Sequence, residues 1–205
     1  MTDSSPSEIA RKILGRNPVY LDTETTGLGQ SDEIVEISII DHDGSVLLNT
    51  LIKPTIYISP AVSAIHHITN EMVAHAPTFD KILPDLQRIF NQRTLVIYNA
   101  EYDLRMIRQS AAAIHYPQSV TCGAVQSAME LYAEYWGQWS EYRQSYKWQR
   151  LGDAMRQQGI QYEGQLHRAL ADCQVTRLLM HKMAGILNEP SWVRVPDGMV
   201  KDVVS

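Results

Sequence analysis

Leu21-Asp22-Thr23-Glu24-Thr25-Thr26-Gly27-Leu28 is the stretch from which the rest of the chain is read. It continues the extended, partly apolar run Pro18-Val19-Tyr20, which reads as a β-strand leaving a polar leader. Strand side chains alternate faces, so Asp22 and Glu24 project to one side, about 7 Å apart along the chain. Two carboxylates on one face of a buried strand repel each other and are costly to desolvate. A divalent cation removes both penalties, and such hard oxygen ligands suit Mg²⁺ or Mn²⁺. The alternative is a strand end with both acids turned to water.

Working outward, the leader (residues 1–17) reads as a flexible segment with a short helix from a Ser7 cap to Leu14, stopped by Gly15. Ile34 to Ile40 alternates apolar and polar residues, and Asp41-His42-Asp43-Gly44 turns the chain into a third strand, Ser45 to Ile52. Ser59-Pro60 starts a short helix over Ala61 to His67, and Asn70 and Thr78 cap the next two. Phe79, Ile82, Leu83, Leu86, Ile89 and Phe90 recur at helical spacing and should face the sheet. Thr94 to Tyr98 reads as a buried parallel strand, Glu101 to Ala113 as a helix, and Ser119 to Cys122 as a last short strand. Gly123 to Gly159 has helical period and many aromatic rings, from Tyr132 to Trp148. These rings invite a base-stacking reading, but helix packing and a partly exposed or partner-facing surface are preferred. His167 to Met183 is the last clear helix, and residues 188–205 read as a loose tail. Strands first and then alternating strand and helix give an α/β fold with helices on both faces of a mixed sheet.

The bulk numbers narrow the function. A chain of 205 residues, 44% hydrophobic and 20% charged, suits one domain with a substantial core and excludes disordered and fibrous classes. No apolar run approaches the ~20 residues of a membrane span, and the leader lacks the apolar stretch of a secretory signal. Cys122 and Cys173 are too few for a disulfide framework and suit a reducing cytoplasm. The net charge of −5 argues against wholesale charge-driven nucleic-acid binding while leaving room for a local site.

Two further motifs complete the pattern: Asn99-Ala100-Glu101-Tyr102-Asp103, and His167-Arg168-Ala169-Leu170-Ala171-Asp172. Taken alone, Asp103 is an acid in the first turn of a helix, where the dipole favours it. Asp172 would be salt-bridged to Arg168, and His167 would be a surface residue or cap. With the Asp-x-Glu-Thr-Thr-Gly strand, the three motifs in this order resemble the DEDDh 3′–5′ exonucleases over roughly positions 18 to 185, within an exonuclease domain taken as 18–187. The resemblance implies a ribonuclease H-like fold with a mixed five-stranded sheet, and an enzyme that uses two divalent cations, Mg²⁺ or Mn²⁺. It implies that Asp22, Glu24 and Asp172 hold one ion, that Asp22 and Asp103 hold the second, and that His167 is the general base. It further implies that Thr25, Gly27, Leu28, Ile65, His66, Asn99 and Tyr102 contact the terminal nucleotide. Tyr98 stands where many relatives have His, and Tyr102 where many have Phe, so an aromatic ring is kept at both.

The expected function is removal of nucleoside 5′-monophosphates from the 3′ end of a nucleic acid, with single-stranded DNA favoured over RNA. The alternatives are an exoribonuclease trimming RNA ends or oligoribonucleotides, and a proofreading or scaffold subunit acting mainly by binding a polymerase. A polymerase or a second copy of the chain is the protein partner expected, and no membrane is involved.

Overall fold

The computed structural model describes residues 4–116, 121–163, 167–187 and 191–194. Its centre is β1 (Val19–Thr25), antiparallel to β2 (Ile34–Ile40) and parallel to β4 (Leu95–Ile97). With β3 (Val46–Leu51) and β5 (Val125–Ser127) these form a five-stranded mixed sheet in the order β3-β2-β1-β4-β5. The helices are α1 (Pro6–Leu14), α2 (Pro60–His66), α3 (Asn70–Val73), α4 (Phe79–Phe90), α5 (Ala100–Ala113), α6 (Ala128–Trp136), α7 (Leu151–Gln157) and α8 (Ala169–Met183). Two small ladders complete the description: the hairpin β6 (Trp139–Ser140) with β7 (Ser145–Tyr146), and the parallel pair β8 (Ile160–Glu163) with β9 (Ser191–Arg194). Among the described residues no helix is long and apolar enough to cross a membrane.

The sheet is covered on both faces. Val19, Leu21, Ile37 and Ile39 pack with Phe79, Leu86 and Ile107 from α4 and α5. Tyr20 and Ile40 pack on the other face with Cys173, Leu179 and Met180 of α8. Because β1 alternates, the residues that continue the Tyr20 row are Asp22 and Glu24, so these acids face the side where α8 lies. β2 is buried along its whole length rather than on one face only. Its polar members, Glu36 and Ser38, lie opposite Glu24 and Asp22 in register, so the acidic row is two strands wide.

Several boundaries differ from the sequence reading. The helix expected in the leader forms, ends at Leu14 before Gly15, and packs into the core. Ser5, not Ser7, caps α1 in a box with Glu8; Ala10 and Ile13 are buried, and Arg11 Nη1 donates to the Ala184 carbonyl at 3.0 Å. Thr69 rather than Asn70 caps α3, while Thr78 precedes α4 as expected. The last strand of the main sheet is Val125–Ser127. Thr121 and Cys122 are outside any strand, and Ser119 and Val120 lie outside the described residues. Gly123 explains the shift: an added Cβ there would sit 2.7 Å from the Arg93 carbonyl, so this glycine admits the close approach that starts the β4–β5 pairing. The stretch from 123 to 159 is therefore not continuously helical. Gly137 (φ 75°) ends α6, a hairpin follows, and Gly159 (φ 63°) follows α7. In the tail, Ser191–Arg194 pairs with β8, and the rest of 188–205 lies outside the described residues.

The integral role of α1 has a direct test. Ile13→Ala removes a side chain that is 7% exposed in the α8 cluster, and is expected to lower stability by about 2–5 kcal/mol in chemical denaturation. A flexible leader would register no change.

Candidate active site

Strand β1 and helix α8 bring three carboxylates together. Ligand oxygens of Asp22, Glu24 and Asp172 all lie within 4.8 Å of one another. Asp103, in the first turn of α5 and only 3% exposed, sits beneath them and accepts a 2.7 Å hydrogen bond from the Thr23 hydroxyl. The protein surrounding these acids disfavours their charge, and each raises its neighbours further. Burial first, then Asp172 and the other acids, pushes Glu24 up to about 8. Asp172 is raised to about 7 by burial and by Glu36, and Asp22 is raised well above its ordinary value by burial and all its acidic neighbours. Asp103 rises to about 7 through burial, opposed by its Thr23 hydrogen bond.

This donor set fits a divalent cation. Three carboxylates share a small space, Asp22, Glu24 and Asp172 keep part of their surface open, and Arg168, the cation beside them, is engaged by Glu36.

Glu36 and its partner form the feature that motif reading missed. Glu36 is 2% exposed; it receives Arg168 Nε at 3.1 and 3.0 Å, Arg168 Nη2, and the Ala169 backbone N–H at 2.9 Å. The N-cap residue of α8, Arg168, offers no side-chain cap of its own. A carboxylate from β2 therefore caps the helix from across the sheet, where the positive end of the helix dipole favours it. Asp172, which taken alone would read as a salt-bridge partner of Arg168 one turn away, stands in the carboxylate cluster, and the Arg168 guanidinium anchors the start of α8 to the sheet. The clue available in sequence was a Glu inside an otherwise apolar strand.

His167 stands just before this cap in a left-handed backbone conformation (φ 63°), unusual for a residue with a Cβ. Its backbone N–H donates to the Asp172 carboxylate, while its imidazole is exposed and lines a cleft of about 820 Å³ with Leu28, Asn99, Tyr102 and Asp172. The left-handed turn thus ties the loop to Asp172 through the backbone while the ring lines the cleft.

The other expected contact residues divide into two groups. Leu28 is 79% exposed at the tip of a loop that is held from several sides. Thr26 Oγ1 donates to Asp32, which also accepts from the Gly29 N–H; Arg105 Nη1 and Gln109 Nε2 of α5 donate to the Gly29 carbonyl at 3.0 and 3.1 Å. The Tyr102 hydroxyl donates to the Gly27 carbonyl at 3.0 Å and lies 2.6 Å from the Thr25 hydroxyl. A Cβ on Gly27 would collide with Asp32 at 2.7 Å. This bracing presents an apolar side chain to solvent without letting it collapse inward. His66, by contrast, is buried with both ring nitrogens engaged. Nδ1 accepts from the Ile68 N–H at 3.0 Å, so Nε2 is the donor toward the Thr25 carbonyl at 3.2 Å. His66 therefore supports the strand behind Thr25. Ile65 is 56% exposed on α2 and is not among the residues that line the cleft. Tyr98 has a defined task too: its hydroxyl donates to the Gln149 carbonyl at 2.6 Å, tying β4 to the segment before α7.

Comparison with known proteins bears on this arrangement. The RNase T family model, described as an exonuclease, matches residues 19–180. The chain belongs to the DEDDh 3′–5′ exonucleases. It is 43% identical over 188 residues to a protein of Escherichia phage 186 named uncharacterized exonuclease CP81, covering 90% of this chain and 96% of that one. It is 31% identical over 176 residues to exodeoxyribonuclease 10 of Escherichia coli K12, covering 84% and 69%. Among solved structures, exonuclease X in complex with 5′ overhanging duplex DNA superposes with a TM-score of 0.58 at 27% identity, covering 82% of this chain and 92% of that one. The fold is ribonuclease H-like, and this DEDDh exonuclease is a phosphodiester hydrolase that uses divalent metal.

Two outcomes follow for the DEDDh site. Carboxylates with raised folded-state pKa values bind more protons folded than unfolded, so without metal the penalty is absent below about pH 4 and is fully present above about pH 8. The melting temperature in chelator should therefore fall as pH rises through that window. Added Mg²⁺ or Mn²⁺ should raise it more at the alkaline end, where the ligands are ionised. A melting temperature independent of metal throughout would remove the metal assignment. Separately, Arg168→Ala leaves Glu36 buried with only the Ala169 N–H, and should cost about 3 kcal/mol in denaturation together with a fall in turnover.

Proposed function

We propose that this exonuclease hydrolyses the terminal phosphodiester bond at the 3′ end of single-stranded DNA and releases nucleoside 5′-monophosphates. The observation that carries the reading is the convergence of Asp22, Glu24 and Asp172, the last of which lines the cleft beside His167. Asp22, Glu24 and Asp172 would hold one Mg²⁺ or Mn²⁺, and Asp22 with Asp103 would hold a second. A divalent ion there polarises the phosphoryl oxygens and offsets the charge that develops on them.

The chain's own residues account for the other requirements. Leu28, braced on its loop, wedges against the terminal base, and Thr25, Gly27, Asn99 and Tyr102 border the backbone path. Of the other two expected contacts, Ile65 would reach the strand only from α2, and His66 acts by holding the Thr25 carbonyl. The imidazole of His167, exposed beside Asp172, takes a proton from water as its oxygen attacks phosphorus. The bond from phosphorus to the O3′ of the penultimate nucleotide breaks, and that oxygen takes a proton from solvent. A free 3′-hydroxyl remains on the shortened strand, and the released nucleotide keeps the 5′-phosphate. The similarity to exodeoxyribonuclease 10 and to a DNA-bound exonuclease supports DNA over RNA.

Matched 5′-labelled DNA and RNA oligonucleotides test the substrate. The expected result is stepwise shortening of DNA from a free 3′ end, blocked by a 3′-phosphate and absent on circular strands. Preferential shortening of RNA would replace the substrate class, and cutting of circles would overturn the end-recognition reading. Asp22→Ala or Asp172→Ala should abolish hydrolysis with the fold intact. His167→Ala should lose at least about a hundredfold in turnover while still binding metal and DNA, because a general base acts in the transition state.

A further inference from the structure

The stretch Trp136 to Gly159 is used only in part by the site described above. Among its aromatic rings Trp139, Tyr142, Tyr146 and Trp148 are exposed, Tyr142 at 96% and Trp148 at 58%. Packing and exposure, both expected of the stretch, fall to different rings: Tyr132, just before them, fills the core, and these four are exposed. Cations alternate with these rings. Arg143, Lys147, Arg150 and Arg156 stand against Glu141 and Asp153, a local excess of positive charge in a chain whose net charge is −5. Arg143, Lys147 and Arg150 are exposed and make no ion pair among the described residues.

The segment is built, not merely solvated. Trp139 and Tyr146 face each other across the β6–β7 hairpin with an edge-to-face contact at 5.2 Å. The Lys147 N–H donates to the Gln138 carbonyl at 2.8 Å and continues the ladder. Gln149 then accepts Gln157 Nε2 at 3.0 Å from α7, and its carbonyl is held by Tyr98 next to the motif residue Asn99. Directly after the hairpin, Trp148 and Arg150 line the same cleft as His167 and Asp172.

We infer that the β6–β7 hairpin with Trp148 and Arg150 forms a stacking and phosphate-binding strip for single-stranded DNA on the 5′ side of the terminal nucleotide. This rests on the exonuclease reading above. Exposed rings offer every base a π-face, and interleaved cations track the backbone, the combination that grips single strands without regard to sequence. The continuity with the cleft and the unpaired cations favour a polyanionic strand over an apolar protein surface. The strip also supplies what the acidic remainder of the chain lacks, a distributed hold on a substrate whose end must approach four carboxylates.

The test uses the full chain and 5′-labelled oligothymidylates of roughly four and roughly twelve nucleotides, the span of one such binding surface. Binding in chelator and kcat/KM with Mg²⁺ are measured for wild type, Tyr142→Ala, Trp148→Ala and Arg143→Glu/Lys147→Glu. Wild type should prefer the longer strand. Trp148→Ala should reduce that preference at least about fivefold through KM rather than kcat, and Tyr142→Ala should reduce it in the same way. The double charge reversal should lower the steepness of the salt dependence for the longer strand by about one or two. Tyr142 has almost no packing to lose, so a folding defect cannot mimic its effect. Equal losses on both lengths, unchanged length preference in all variants, or loss of self-association in place of DNA binding would each overturn the strip. Wild type that neither binds nor shortens DNA of either length would instead overturn the exonuclease reading beneath it.

Discussion

Mutual repulsion among four acids at one end of β1 is the constraint to which the rest of the structure answers. Asp22, Glu24 and Asp172 cannot all ionise cheaply at this depth, and Asp103 beneath them adds a further charge. A fold that only maximised stability would not collect them. Here the sheet and two helix starts deliver them to one point, and the strain is relieved when a divalent cation replaces the protons. The site is thus destabilising by itself and stabilising once loaded, which links metal occupancy to folding as well as to chemistry.

Holding such a cluster requires a rigid surround. The Glu36 cap is the clearest instance: a buried carboxylate on β2 takes the guanidinium of Arg168 and the first N–H of α8 together. It also lies opposite Glu24 on the neighbouring strand, so it adds to the repulsion while fixing the helix that carries Asp172. One residue therefore contributes to both the electrostatic problem and its mechanical solution. The loop around Leu28 follows the same logic on the substrate side, with α5 bracing it through Tyr102, Arg105 and Gln109. Since α5 also bears Asp103, the proposed second-metal ligand and the proposed substrate wedge are positioned by a single element.

Much of this was legible in the sequence, and the unread parts share a cause. The row of Asp22 and Glu24 followed from strand alternation, and the α4 stripe from helical period, because both are local periodicities. The roles of His66 and Arg168 depended on partners 41 and 132 residues away, Thr25 and Glu36, which no local pattern discloses. The shifted last strand turned on Gly123, whose meaning is a close approach to Arg93 and not a helix start. In the aromatic stretch only the continuity of the helical period was misread. Helical spacing was real across Ala128–Trp136, but Gly137 in a left-handed conformation redirected the chain, and the following rings went outward.

That redirection bears on how an acidic protein handles an acidic substrate. A net charge of −5 repels DNA at long range, and the carboxylate cluster repels it further at short range. In the proposed reaction, bound cations would answer the second problem at the scissile phosphate but not the first, because their field would be largely consumed by the acids that hold them. Attraction must then come from groups set apart from the metal ligands. Trp148 and Arg150 meet that condition: they share the cleft with His167, yet they belong to a segment joined to β4 through Tyr98 and Gln149. Tyr98, where many relatives carry histidine, is thereby given a physical reason. Its hydroxyl reaches the Gln149 carbonyl, so the residue beside Asn99 holds the segment that carries Trp148 and Arg150.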